Sequence, residues 1–162
     1  MKSGSIQHNF VAANVYRALY GFVTARKLGC VFTGGLIYIL HYDPETGIRL
    51  NQTPDGSFLR QERLHKDLDL SQPFTGAPDL AIEVISLDDM VAEVFDRIGQ
   101  YLTYGTEQAW VLFPAQGELH QYVRGEGTIH VFKDSDTLPG GTLLPGLSLF
   151  VGDLFELPGF RG

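Results

Sequence analysis

A single carboxylate inside an apolar strand is the feature that most constrains this chain. Residues 80–85 lie between Pro78 and Ser86 and are apolar except for Glu83. A short apolar run bounded in this way is typical of a strand that is buried on both faces. An ionised carboxylate in such an interior needs hydrogen bonds, a cation or a metal, because burying it without a partner is very costly. Glu83 is therefore the first candidate for a functional residue in this chain.

Strand geometry limits what can assist Glu83. Asp79 projects to the same face, but four residues of strand separate the two side chains by roughly 13 Å. Metal–oxygen bonds are only about 2.0–2.6 Å long, so Asp79 and Glu83 cannot both ligate one small cation. If Glu83 binds a metal, the second carboxylate must come from another part of the chain.

The length and composition indicate one soluble domain. A chain of 162 residues that is 44% hydrophobic can bury a core, and its length predicts a single domain over residues 1–162. No signal sequence and no stretch approaching ~20 apolar residues is present, so a cytoplasmic protein without a membrane span is expected. The only cysteine, Cys30, is predicted to be a buried thiol. The net charge of −7 argues against non-specific binding to nucleic acid.

The first helix is predicted over residues 5–28. Apolar residues recur there at spacings of three and four, and Gly29 is placed to end the helix. His8 and Asn14 could line a site from this helix, but a surface or capping role is the preferred interpretation for both.

The second helix is predicted to start after Ser86 and to end near Tyr104, before Gly105. Ser86 and Asp89 have the spacing of a capping box. Arg97 lies at the border of the apolar stripe. Its guanidinium could reach solvent and pair with Glu93, or could reach along the sheet towards Glu83, and the sequence leaves both open.

The remaining segments predict a mixed sheet. Residues 108–113 form a second apolar strand after the helix, which indicates a parallel strand–helix–strand crossover. Residues 119–123 and 129–132 indicate a hairpin. Its His120, Tyr122 and His130 are interpreted as half-exposed strand residues rather than as a metal site, because no third ligand has a suitable spacing. Residues 138–150 predict turns around an edge strand, and residues 61–75 predict a surface loop.

Asp55 carries two interpretations. Pro54, Asp55 and Gly56 form a turn signature in which aspartate and glycine accept the required backbone angles. Alternatively, Asp55 is a metal-binding carboxylate on a strand beside Glu83.

The order of these segments resembles one bacterial family. The resemblance is carried by Pro54-Asp55, the run from Pro78 to Ser86, Arg97-Ile-Gly-Gln-Tyr101, Trp110-Val-Leu-Phe113 and Leu144-Pro-Gly-Leu-Ser-Leu149. The chain is similar over nearly its whole length to the Uma-two (Uma2) type of putative restriction endonuclease, in the PD-(D/E)xK nuclease superfamily.

This resemblance implies a fold and a set of roles. The expected fold is α/β (α+β): a restriction-endonuclease-like core with a curved mixed β-sheet, flanked by an N-terminal helix and a second helix after the central strand, with a C-terminal β-hairpin. Asp55 and Glu83 correspond to the carboxylates that hold Mg²⁺ or Mn²⁺ in the family. Asp79 corresponds only to the start of the strand. Arg97 stands where the Uma-two type has its lysine, and Ile85 stands where most of the superfamily has one.

Two classes of function follow from the sequence. The first is a metal-dependent endonuclease that hydrolyses DNA, with Asp55, Glu83 and Arg97 as catalytic residues. The second is a degenerate copy of the nuclease fold that serves as a binding or oligomerisation module. Asp55 turned away from Glu83, together with a buried Glu83–Arg97 ion pair, is the sign expected of the second. A homodimer is the expected assembly, because it is the commonest symmetric one.

Overall fold

The structure, a computed structural model, describes residues 4–157 and 159. The helices are α1 (Ile6–Ala25), α2 (Val91–Thr103) and α3 (Val151–Leu154), with one 3-10 turn at Gln61–Arg63. The strands are β1 (Gly29–Thr33), β2 (Tyr38–Tyr42), β3 (Arg49–Gln52), β4 (Gly56–Arg60), β5 (Phe74–Thr75), β6 (Leu80–Val84), β7 (Gln108–Phe113), β8 (Glu118–Val123), β9 (Ile129–Lys133), β10 (Thr137–Pro139) and β11 (Ser148–Phe150).

One six-stranded sheet forms the centre of the fold, in the order β1-β4-β6-β7-β8-β9. The β6–β7 pair is parallel, which confirms the predicted crossover through α2, and the other pairs are antiparallel. The predicted hairpin is confirmed as β8 and β9. A small sheet, β3-β2-β5, and the β10–β11 pair complete the fold. The expected mixed α/β architecture is confirmed.

The two faces of the large sheet bury separate cores. On one face, α1 packs its apolar stripe against β6; the buried residues include Val11, Val15, Leu19, Val23, Leu80, Ile82 and Val84. On the other face, α2 buries Val94, Ile98 and Tyr101 against Ala81, Ala109 and Val111. Each fully buried large apolar side chain stabilises the fold by about 1.5–3 kcal/mol. Glu83 faces the second core, because it alternates with Ile82 and Val84 along β6.

Several predicted boundaries were wrong. The first helix ends at Ala25 rather than at residue 28, because Lys27 adopts a left-handed conformation with φ 54°. The second helix begins at Val91, and Ser86 is not its cap. Instead, the Ser86 N–H donates to Asp89 Oδ2 at 2.7 Å, which closes a turn ahead of the helix. The segment predicted as a loop, residues 61–75, contains the 3-10 turn and β5.

Cys30 is exposed, so the prediction of a buried thiol was wrong. Side chains alternate between faces along β1, and Val31 is the residue of this strand that is buried. Cys30 therefore projects away from the core that Val31 enters. Within the described residues, no helix has the length and apolar content needed to cross a membrane.

Candidate active site

Glu83 is completely buried in the middle of the large sheet, and two residues of α2 contact it. The Tyr101 hydroxyl donates a hydrogen bond to Glu83 Oε1 at 3.0 Å. Arg97 Nε lies 3.6 Å from the same oxygen. The requirement that a buried carboxylate has partners is thus met from the helix that follows its own strand.

Arg97 turns towards Glu83 rather than pairing with Glu93 at the surface. Its side chain is 18% exposed. Nε and Nη2 are buried, and neither has a hydrogen-bond partner within the described part of the chain. A guanidinium normally directs its N–H groups at acceptors, and buried donors left unsatisfied are costly. The buried side of Arg97 therefore has capacity for an additional acceptor.

Tyr101 keeps its proton under ordinary conditions. Burial raises the pKa of its hydroxyl well above the usual range, the nearby Arg97 charge lowers the pKa, and the Asp55 carboxylate raises it. Because the hydroxyl stays protonated, it remains a donor to Glu83. Asp55 therefore lies close enough to Tyr101 for its charge to influence the hydroxyl.

Asp55 lies in a bend directly before β4, at the side of Glu83. Its backbone N–H donates to the Ile82 carbonyl at 2.9 Å. Its Oδ2 accepts a hydrogen bond from the Val84 N–H at 2.8 Å. Asp55 thus contacts both chain neighbours of Glu83. The turn and the position beside Glu83, which the sequence offered as alternatives, occur together.

His8 belongs to this cluster, and the prediction of a surface or capping role was wrong. It is 7% exposed, and its Nε2 lies 3.3 Å from Asp55 Oδ2. Its backbone N–H donates to the Ser5 side chain, which caps α1. The available signal was periodicity, because His8, Val11, Val15 and Leu19 form one buried stripe.

Other polar residues that the sequence singled out lie apart from Glu83. Asp79 accepts from the Arg60 N–H at 2.8 Å, and its carboxylate pairs with Arg60 and Arg63 at 3.2 and 3.1 Å. Asn14 donates to the carbonyls of Leu154 and Glu156.

The histidines of the β8–β9 hairpin also lie apart from the site. His120 contacts Glu118 at 3.1 Å, and the exposed His130 contacts Glu126 at 2.7 Å. Both histidines are strand residues of the hairpin, as predicted, and each contacts a different carboxylate.

Apart from the His8 imidazole, the side chains that could hold a metal at this site are carboxylates. No three His, Cys, Asp or Glu side chains in the described ranges converge closely enough to hold a metal by themselves. Two carboxylates, Asp55 and Glu83, remain as the candidate donors. Mg²⁺ is usually held by one or two protein carboxylates, with waters and substrate oxygens as the other ligands, so this donor set fits it.

Comparisons with known proteins show the family and the fold of this chain. A family model, Uma2, described as putative restriction endonuclease, matches residues 1–152. A crystal structure described as a putative nuclease belonging to DUF820, from Anabaena variabilis ATCC 29413, is similar with a TM-score of 0.79 and 22% sequence identity. That match covers 96% of this chain and 82% of the other. No curated protein matches the chain.

Proposed function

The chain belongs to the Uma2 family of putative restriction endonucleases, and from this premise we propose that it is a metal-dependent nuclease that hydrolyses phosphodiester bonds in DNA. Asp55, Glu83 and Arg97 are the proposed catalytic residues.

One observation carries the proposal: a partly buried guanidinium with two unsatisfied buried donors lies beside a buried carboxylate. Arg97 Nε and Nη2 have no hydrogen-bond partner among the described residues, and Glu83 Oε1 is 3.6 Å from Nε. The planar arrangement of guanidinium donors matches a phosphate in geometry and charge. A scissile phosphate at this position would supply the acceptors that Arg97 lacks.

Asp55 and Glu83 are the proposed ligands of Mg²⁺ or Mn²⁺. When bound, such an ion withdraws charge from phosphate oxygens and makes an attacking water more acidic. Both carboxylates are held by neighbours: Tyr101 donates to Glu83, and the Val84 N–H donates to Asp55. These hydrogen bonds restrict the carboxylates before any substrate enters.

Arg97 is proposed to bind the phosphate and to stabilise the negative charge that develops in the transition state. Arginine remains protonated in proteins, so Arg97 cannot exchange a proton with the attacking water as a lysine can. Its proposed role is therefore electrostatic.

A degenerate binding module is the second candidate, and one contact favours it. The approach of Arg97 to the fully buried Glu83 is the buried ion pair expected of that class. Against it, Asp55 contacts both neighbours of Glu83 instead of pointing into a separate region.

Cleavage of supercoiled and linear DNA distinguishes the two candidates. The full chain is compared with Glu83→Ala in Mg²⁺, in Mn²⁺ and in EDTA, and Glu93→Ala serves as a matched control on the exposed side of α2. A nuclease nicks DNA only with the metal; Glu83→Ala abolishes this activity, and Glu93→Ala retains it. Equal cleavage by wild type and Glu83→Ala, or none by wild type, contradicts the proposal and favours the module.

A further inference from the structure

His8 contacts the proposed metal ligand Asp55 from a different element of the fold. Both side chains are 8% exposed, and His8 Nε2 lies 3.3 Å from Asp55 Oδ2. The Val84 N–H reaches the same oxygen from β6 at 2.8 Å. Oδ2 is therefore approached by an imidazole from α1 and by a backbone donor from the central sheet.

The start of α1 fixes where the imidazole lies. Ser5 caps the helix, and its Oγ accepts the His8 N–H at 3.1 Å. The next turns bury Val11 and Val15 against the sheet. A cap on one side and a packed stripe on the other leave the His8 side chain little freedom to move away from Asp55.

We propose that His8 is a positioning residue, which orients the Asp55 carboxylate for binding a divalent cation. This inference rests on the proposed metal site. The imidazole Nε2 contacts Oδ2 at 3.3 Å, and this contact, together with the hydrogen bond from the Val84 N–H, restricts the orientation of the carboxylate. Outer groups that orient a metal ligand tune its affinity for the ion, and their loss typically weakens metal affinity by about 10- to 100-fold.

A positioning role fits the site better than direct ligation. His8, Asp55 and Glu83 are all described, and no group of three such side chains in the described ranges could hold a metal. His8 acts through Asp55. Its removal is therefore expected to weaken binding of the ion without removing either of the two proposed ligands, Asp55 and Glu83.

The test is Mn²⁺ binding by the full chain, measured by titration calorimetry in the absence of DNA. Wild type is compared with His8→Ala, His8→Gln and His120→Ala. His120 is a matched control, because it also contacts a carboxylate, Glu118, at 3.1 Å but lies on β8. The expected result is a loss of about 10-fold or more for His8→Ala, partial recovery for His8→Gln and no change for His120→Ala. Circular dichroism and urea denaturation confirm that each variant is folded at the temperature used.

Each outcome of these titrations either supports or overturns the positioning role of His8. If His8→Ala binds Mn²⁺ like wild type, or if a folded His8→Gln loses as much affinity as His8→Ala, the positioning role is overturned. If His8→Ala does not fold, His8→Gln alone decides: a measurable loss of affinity smaller than about 10-fold supports the role, and unchanged affinity or a loss of about 10-fold or more overturns it. A wild-type chain that does not bind Mn²⁺ overturns both this inference and the metal-dependent nuclease. Wild type that binds Mn²⁺ but cleaves no DNA overturns the nuclease alone, and the comparison of affinities still decides the role of His8.

Discussion

At the scale of single residues, Arg97 distinguishes this site from one that has a lysine at the same position. Replacing Arg97 with alanine removes the charge beside Glu83 and is expected to lower the rate of DNA cleavage by about 10²- to 10³-fold, which is typical for the loss of one group that stabilises developing charge. Arg97→Lys keeps a cation that can also exchange protons, so it is expected to retain activity at or above the wild-type level. Steady-state cleavage rates in Mg²⁺ measure both effects.

Arg26→Ala is the control for these substitutions. Arg26 lies at the far end of α1 from His8 and stacks on Phe22, with its guanidinium carbon 3.9 Å from the ring centre. Its loss should leave the cleavage rate unchanged. Equal activity in wild type and Arg97→Ala would contradict the electrostatic role of Arg97.

The sequence predicted only part of this residue cluster. Glu83 stood out because a carboxylate in an apolar strand needs a partner, and an approach to Glu83 was one of the two directions left open for Arg97. Tyr101 and His8 were missed, since each lies within an apolar helical stripe, where a polar side chain is easily counted as part of the core or the surface. Helical spacing predicts on which face of the helix a residue lies, but it does not predict which part of the sheet packs against that face.

At the scale of elements, Asp79 joins β4 to the start of β6. Its buried carboxylate accepts from the Arg60 N–H and pairs with Arg60 and Arg63. Removing one member of a buried ion pair costs about 3–5 kcal/mol, and we expect about 2–3 kcal/mol for Asp79→Ala because both arginines are about one-third exposed. Urea denaturation at neutral pH measures this loss of unfolding free energy.

Asp79→Ala also distinguishes a role in stability from a role in metal binding. Asp79→Ala is expected to leave Mn²⁺ affinity unchanged, since its contacts are with arginines at the opposite end of β6 from Val84. The exposed Asp96 on α2 provides the control, because its replacement by alanine should change stability by no more than about 0.5 kcal/mol. A stability change for Asp79→Ala as small as that of Asp96→Ala would refute the structural role.

Elements with strong periodic patterns were predicted, and elements defined by tertiary contacts were not. The apolar runs of β6 and β7 and the stripe of α2 gave the crossover correctly. The start of α2 was misplaced because the Ser86–Asp89 pair has the spacing of a helix cap but closes an isolated turn. The two-residue strand β5 pairs with β2 over only Tyr38–Phe74 and Ile39–Thr75, which is too short to leave a pattern in the sequence.

At the scale of the whole molecule, two buried tyrosines are expected to make the fold less stable at alkaline pH. Burial raises the pKa of Tyr101, and burial also raises that of Tyr38, where the hydrogen bond with Ser57 acts in the opposite direction. In the unfolded chain both hydroxyls lose their protons near pH 10. The folded state then binds more protons than the unfolded state, so the free energy of unfolding falls as pH rises above about 10.

Each of these tyrosines contributes a slope of up to about 1.4 kcal/mol per pH unit. Urea denaturation at a series of alkaline pH values should show a shallower decline for Tyr101→Phe and for Tyr38→Phe than for wild type. Tyr42 is exposed, so Tyr42→Phe should follow the wild-type slope. Parallel declines for all four proteins would show that neither buried hydroxyl controls alkaline unfolding.

The position of β9 at the outside of the large sheet has a consequence for solubility. Its outer side has no neighbouring strand in the described sheet, and Ile129 and Val131 are exposed. An open strand edge of this kind is a template for aggregation, and natural proteins protect such edges with short strands and charged side chains. Here β9 has five residues and ends in Lys133, which pairs with Glu118. The short length of β9 and the charge at its end are therefore expected to limit edge-to-edge association of this protein at high concentration.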